Sequence, residues 1–246
     1  MSVYASLVSV YDRLFPLPTA ALPFLEGLVP AAPGRARRVL DAGCATGSLL
    51  LALAERGWEA VGIEPEAGMI AAGRSEARRR GLGSARFVEG DMLEAERIAG
   101  PGPFDLVLCL GNTLPHLSRE GARRFLGLGR SLLAPGGALV LQLLNYAKPG
   151  VGPGFAFPEL SAGRLRFRRR YEAGAAGALS FVTELSEEGG ESSRHDLPLE
   201  PLEPDWLLGA LREAGFAPPA LSPGWGGGDF EADRDLYLLL VARLPD

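Results

Sequence analysis

The sequence predicts an α/β fold: a doubly wound parallel sheet into which a small antiparallel β meander is inserted. Three observations carry this. Short apolar runs alternate with helical stretches from residue 38 to 144, the pattern of strands joined by crossover helices. The first run ends on Asp41 and a glycine turn, Gly43-Cys44-Ala45-Thr46-Gly47, and the second ends on Glu64. Between residues 146 and 201 the apolar period shortens to two, as in antiparallel strands, before the helical pattern returns.

Element by element, residues 1–35 read as a helical, proline-broken extension. Arg38-Val39-Leu40-Asp41 is a strand, and residues 48–56, closed by Gly57, its helix. Residues 59–64 form a second strand, followed by a helix over 66–80 that stops at Gly81. A third strand covers 85–89. Residues 104–110 are the most apolar run and so the central strand. A helix over 118–133 leads to a turn at Pro135-Gly136-Gly137 and a fifth strand at 138–144. The meander uses 165–168 and parts of 178–185 and 191–197. The α/β pattern resumes with a helix over 205–214 capped by Gly215, a short strand at 216–221, a loop over 222–228 and a last strand at 235–242. Four segments follow: 1–35, 36–145, 146–201 and 202–246.

The chain has 246 residues, 47% of them apolar, enough to bury a core without staples. Lysine plus arginine number 25 and aspartate plus glutamate 30, giving a charge of −5 that argues against a nucleic-acid partner. Cys44 and Cys109 form no CxxC pair, so neither a disulfide framework nor a metal site is expected, and the setting is read as cytoplasmic. Asp12 and Arg13 interrupt the apolar N-terminus, which does not read as a signal peptide. No run approaches the ~20 apolar residues of a membrane span, so no membrane partner is expected. The oligomeric state is not legible.

The chemistry sits at the ends of the strands. Glycines 43 and 47 let backbone approach a ligand, and the helix N-terminus behind them accepts a carboxylate as readily as a phosphate. Asp41 beside this turn is awkward for pyrophosphate and useful for an ammonium, which together describe a site for a zwitterion. A dinucleotide fingerprint wants a third small residue where Ser48 stands, a marginal substitute. Glu64 lies 64 − 47 = 17 residues after Gly47, where an acid accepts from both ribose hydroxyls. Asp91 offers an acceptor to an adenine amino group, with Met69 and Met92 flanking the ring. Amino acid, ribose and adenine spell S-adenosylmethionine.

At this point the chain resembles the class I S-adenosylmethionine-dependent methyltransferases, through VLDAGCATG at 39–47, GIEP at 62–65, EGDM at 89–92, FDLVLCLGN at 104–112, LLAPGG at 132–137 and LREAGF at 211–216. The resemblance implies a Rossmann-like, mostly parallel, seven-stranded sheet with an antiparallel last strand. It implies cofactor contacts at Asp41, Gly43, Gly47, Glu64, Asp91 and the chain after the fourth strand, Leu110, Gly111 and Asn112, with Cys44, Ala45, Pro65, Met69 and Met92 beside them. Ala45 departs from the commoner G-x-G-x-G. Tyr4, Tyr11-Asp12, Gly111-Asn112-Thr113-Leu114-Pro115-His116 and the meander resemble, more weakly, glycine N-methyltransferase and the amino-sugar N-methyltransferases. That second resemblance implies an N-terminal lid and a β insertion closing over a small acceptor. The Asn/Asp-Pro-Pro-Tyr motif of nucleic-acid amino-methyltransferases and the paired glutamates of arginine methyltransferases are absent.

The expected function is methyl transfer to an amine, or a hydroxyl, of a small molecule by in-line displacement; the alternative is a noncatalytic cofactor sensor or partner subunit. His116 and Tyr11 are the candidate catalytic residues, against plainer readings as a backbone partner and an apolar wedge; Tyr146 is a weaker candidate of the same kind. Asp91 as a loop cap, Met69 as helix core and His195 as a surface residue are plain readings too. Arg164, Arg166, Arg168 and Arg170 share one strand face, with Leu165 and Phe167 on the other. They either pair with Glu184, Glu187, Glu188 or Glu191 or recognise an anionic acceptor.

Overall fold

The computed structural model describes residues 3–30, 34–100, 102–187, 190 and 192–245; Glu188 and Glu191 lie outside the described residues. Three short helices open the chain, α1 (Val3–Leu7), α2 (Tyr11–Leu14) and α3 (Ala21–Leu28). The alternating core follows: β1 (Arg38–Ala42), α4 (Ser48–Ala54), β2 (Glu59–Glu64), α5 (Ala67–Arg80), β3 (Ala85–Glu89), α6 (Ala95–Ile98), β4 (Phe104–Cys109), α7 (Arg119–Leu132) and β5 (Leu133–Leu144). Then come β6 (Leu160–Ala162), β7 (Leu165–Ala173), β8 (Leu179–Glu187) and β9 (Ser192–Leu199), and finally α8 (Pro204–Glu213), β10 (Ala220–Ser222) and β11 (Tyr237–Arg243).

The main sheet has seven strands in the order β10-β11-β5-β4-β1-β2-β3. The strands from β5 through β3 pair in parallel, whereas β11 is antiparallel to both its neighbours. All six residues of β4 are buried, as its unbroken apolar run requires of a central strand. Leu50, Leu53, Trp58 and Ile70 cover one face, and Phe125, Leu126, Leu207 and Leu211 the other. The strand order reverses at β1 and β4, which opens a crevice at their carboxyl ends.

The expected turn at 135–137 is instead a bulge inside β5. Phe104 pairs with Leu133 and Leu106 with Ala138, so three residues of β5 are unmatched there. The inserted sheet has four strands in the order β6-β7-β8-β9, all antiparallel; β6 was not expected. Of the short strand expected over 216–221, only its end forms, as β10, and α4 stops two residues early. A 3-10 turn at Met92–Glu94 and α6, neither anticipated, follow β3.

Two apolar clusters fasten the inserted sheet over the carboxyl ends of the main one. Leu7, Val10 and Leu14 of the N-terminal segment pack with Met69, Phe167 and Leu185. Leu144 and Tyr146 at the end of β5 pack with Tyr171, Leu179 and Leu199.

Candidate active site

The turn after β1 is held from below, since the N–H groups of Gly43 and Cys44 both donate to the Ile63 carbonyl, at 2.8 and 3.1 Å. Gly43 and Gly47 lie at φ +86° and +76°, and a Cβ would meet Thr113 Cγ2 at 2.4 Å in the first and the Phe87 ring at 2.1 Å in the second. Both positions therefore demand glycine. Ala45, between them, also sits at positive φ, 49°, an arrangement that costs an L-residue roughly 1–2 kcal/mol. The middle position thus keeps the backbone of a glycine while carrying a methyl group.

Two carboxylates face this turn. Glu64 accepts from Ala45 N at 3.2 Å and from Glu66 N at 3.1 Å, one bond to each oxygen. That pins the group and leaves each oxygen a further lone pair. Burial raises its pKa in spite of these bonds. Asp41 is buried and its Oδ1 has no hydrogen-bond partner among the described residues. Burial, then the nearby Glu64 charge, push its carboxyl up to about 7. A buried acceptor without a donor is costly, and a cationic ligand group at the turn would relieve it. These features fit the ammonium and ribose ends of S-adenosylmethionine. The buried thiols of Cys44 and Cys109 are pushed up by burial and stay protonated.

Beyond β4, Asn112 adopts φ +65°. Its Oδ1 accepts from Leu144 N at 3.0 Å and its Nδ2 donates to the hydroxyls of Tyr146 and Tyr171 at 2.9 and 3.2 Å. The Asn112 side chain is thus spent on joining β5 to the inserted sheet. His116 Nε2 lies 3.3 Å from the Tyr4 hydroxyl, and burial lowers its pKa. Burial, and secondarily Glu64, push Tyr4 up to about 12. Tyr11 is also shifted upward, mainly by burial. Asp12, next in α2, accepts from Thr46 Oγ1 at 2.5 Å and ties that helix to the glycine turn.

A cavity of about 560 Å³ brings these parts together. Tyr4, Tyr11 and Phe15 wall it on one side, Asp41, Gly43, Cys44 and Ala45 on a second, Leu110, Gly111, Asn112 and His116 on a third. The inserted sheet adds Phe167, Arg169, Tyr171 and Thr183. Gly47, Glu64, Pro65, Met69, Asp91 and Met92 are not on its wall. Glu64 is bonded to Ala45, which is on the wall. Asp91 is exposed and caps the 3-10 turn by accepting from Leu93 N at 2.8 Å, while Met69 and Met92 are packed in apolar clusters.

Among the even-numbered arginines, Arg170 pairs with the expected Glu184 and also with Glu172, whereas Arg166 and Arg168 pair with Glu159, which was not among the expected partners. Sequence reasoning passed over Tyr171 and Arg169. A signal for Arg169 existed, because three successive arginines at 168–170 cannot share one face of a strand of period two. For Tyr171 there was none beyond the same alternation.

A glycine turn flanked by two acids at the switch point of a doubly wound sheet is where an α/β protein of this class binds its ligand. Residues 39–137 match the family described as "Methyltransferase domain". It is 30% identical over 185 residues to glycine/sarcosine N-methyltransferase of Halorhodospira halochloris, covering 74% of this chain and 66% of that one. The 23S rRNA (uracil(1939)-C(5))-methyltransferase RlmD of Stenotrophomonas maltophilia matches at 43% over 65 residues, 26% of this chain and 15% of that one, and that of Alkalilimnicola ehrlichii at 33% over 156 residues, 63% of this chain and 31% of that one. Among solved structures, the CcbJ methyltransferase of Streptomyces caelestis superposes with a TM-score of 0.82 at 23% identity, covering 100% of this chain and 99% of that one. CalS10, an amino pentose methyltransferase of Micromonospora echinaspora, gives 0.70 at 21%, covering 99% and 97%. At these identities the likeness is one of fold.

Proposed function

We propose that this protein transfers the methyl group of S-adenosylmethionine to the nitrogen of a small molecule held in the cavity. The carrying observation is the cavity itself, whose walls run without a break from Asp41 and the glycine turn to the inserted sheet. Its volume suits a small molecule. The relative that acts on glycine and sarcosine, and the neighbour that acts on an amino pentose, supply the direction toward nitrogen.

In this reading Asp41 pairs with the ammonium of the methyl donor, Glu64 accepts from its ribose, and Gly43, Gly47 and the chain over 110–112 let backbone approach it. Asp91, exposed just beyond β3, is assigned to the adenine, while Met69 and Met92 stay in the apolar core. The donor supplies a methyl carbon on a positively charged sulfur; a nitrogen lone pair forms the new C–N bond as the C–S bond breaks, and the sulfur leaves neutral. Tyr4, Tyr11 and the inserted sheet exclude water and align the acceptor, an effect worth up to ~7–11 kcal/mol in such reactions. An amine need only arrive neutral, which an apolar cavity favours.

His116 separates amine from hydroxyl acceptors. Burial shifts its imidazole toward the neutral form, the form that takes a proton if a hydroxyl must be deprotonated. With an amine, His116→Ala should raise the acceptor KM and lower kcat by less than ~10-fold. A kcat loss of ~100-fold or more, together with disappearance of a titration below about 6.5, would identify a hydroxyl acceptor instead.

A further inference from the structure

Trp225 stands in a glycine-rich loop after β10, Pro223-Gly224-Trp225-Gly226-Gly227-Gly228. A turn closes around it, because Gly227 N and Ser222 Oγ both donate to the Gly224 carbonyl, each at 3.1 Å. The indole meets Phe24 of α3 edge-on, ring centres 5.6 Å apart, and lines the cavity. Its Nε1 is buried and has no acceptor among the described residues. An unmet buried N–H is unfavourable, and a buried tryptophan usually finds a partner for it.

Sheet alternation shows where that partner belongs. Asp41 shares a face of β1 with Val39, and Gln142 shares a face of β5 with Val140. Val39 and Val140 belong, with Leu49 of α4 and Trp225, to a single apolar cluster. Asp41, Gln142 and Trp225 therefore line the cavity from the α4 side of the sheet. Gln142 spends its side-chain oxygen on Gly111 N at 3.2 Å, so its amide has N–H groups left to offer. Ser48, at the first position of α4, adds a hydroxyl to the same cavity. Among the described residues the one arginine on the cavity wall is Arg169, which belongs to the inserted sheet and is ringed by Phe15, Phe157 and Phe167.

Uncharged donors on the side of Asp41 ask for an oxygen acceptor there. In S-adenosylmethionine the carboxylate is bonded to the carbon that carries the ammonium, so an ammonium paired with Asp41 brings the carboxylate to these donors. We infer that Trp225 Nε1, with Ser48 Oγ and Gln142 Nε2, receives the carboxylate of the methyl donor, so that uncharged groups hold this end of the cofactor. This rests on the placement of the donor's ammonium at Asp41. Hydrogen bonds to an ionised acceptor are roughly twice as strong as those between neutral groups, which lets three such donors stand where a cation is missing.

The test is calorimetry on the full chain with two ligands, S-adenosylhomocysteine and S-adenosyl-3-thiopropylamine, which keeps the ammonium and lacks the carboxylate. The wild type should bind S-adenosylhomocysteine about 10-fold or more tightly than the analogue. Trp225→Phe keeps a ring against Phe24 and deletes the N–H; it should weaken S-adenosylhomocysteine about 5-fold or more and the analogue less than about 2-fold. Gln142→Glu, which sets a charge against the carboxylate, should bring the ratio of the two affinities to about 1. Asp41→Asn should weaken both ligands alike. Equal affinities in the wild type overturn the inference without any variant. So does an equal loss of both ligands in Trp225→Phe, the signature of packing alone, or a ratio preserved in both Trp225→Phe and Gln142→Glu. If the ratio is preserved there while Asp41→Asn weakens both ligands, the inference falls and the methyl donor stays at the glycine turn. If Asp41→Asn changes neither affinity, that placement falls and the inference with it.

Discussion

Glu64 spends one lone pair of each oxygen on the backbone of the two turns it bridges, which fixes the direction of the pairs that remain. If these accept from ribose, replacing the charge should weaken S-adenosylmethionine binding by ~1.5–3 kcal/mol, about 10- to 150-fold in Kd. Calorimetry on folded Glu64→Gln measures this, and unchanged affinity would remove Glu64 from the site. Asp41 makes a prediction about pH. Its folded pKa is raised to about 7, above the ordinary carboxylate value of ~3.9. The stability it contributes to the cofactor-free protein is therefore fully present below ~3.9 and lost as pH rises through about 7. A cationic partner reverses the sign, because pairing requires the carboxylate. S-Adenosylmethionine affinity should rise with pH up to about 7, with proton release on binding, and fall again above ~8 as an α-amino group deprotonates. Asp41→Asn should bind weakly and lose the rising limb; an affinity independent of pH in the wild type contradicts the pairing. Both acids were legible in the sequence because each stands at the end of a strand, Asp41 before the glycine turn and Glu64 after β2, but the missing donor to Asp41 Oδ1 was not, since it depends on what packs around β1.

At the scale of elements, alternation made the strands legible, and the failures have local causes. Pro135-Gly136-Gly137 carries every mark of a turn, yet β4 pairs on both sides of it, so tertiary pairing absorbs the three residues as a bulge. In β7 the expectation followed the even-numbered arginines and missed that the same alternation sends Arg169 inward. The N-terminal helices show a different dependence. At five and four residues, α1 and α2 are too short to stand alone, and they persist through Leu7, Val10 and Leu14 packed on Met69, Phe167 and Leu185. Through Tyr4, Leu7, Tyr11 and Leu14 they wall the cavity, so if the cavity holds the methyl donor, loading it requires them to move and then close again. Their amide exchange should be fast in the free protein and slow by about 10-fold or more with S-adenosylmethionine bound. Hydrogen-exchange mass spectrometry over residues 4–14 checks this, and identical exchange in the two states would mean that these helices are fixed structure.

For the molecule as a whole, the order of strands and acids identified the cofactor because a zwitterion, a ribose and an adenine each demand a group at a set strand end. The acceptor was less legible, since its walls come from residues far apart in the chain: Tyr4, His116 and Tyr171 line one cavity although they belong to the N-terminal helices, the segment after β4 and the inserted sheet. Among the described residues no helix is long and apolar enough to cross a membrane. If the two halves of the cavity form one reaction chamber, incubating the protein with methyl-labelled S-adenosylmethionine and fractionated small-molecule metabolites should yield equimolar S-adenosylhomocysteine and a methylated amine. Mass spectrometry follows both, and both should vanish when the metabolites are omitted. Tight S-adenosylmethionine binding with no transfer to any fraction would contradict a single chamber and identify a cofactor-sensing protein or a partner subunit.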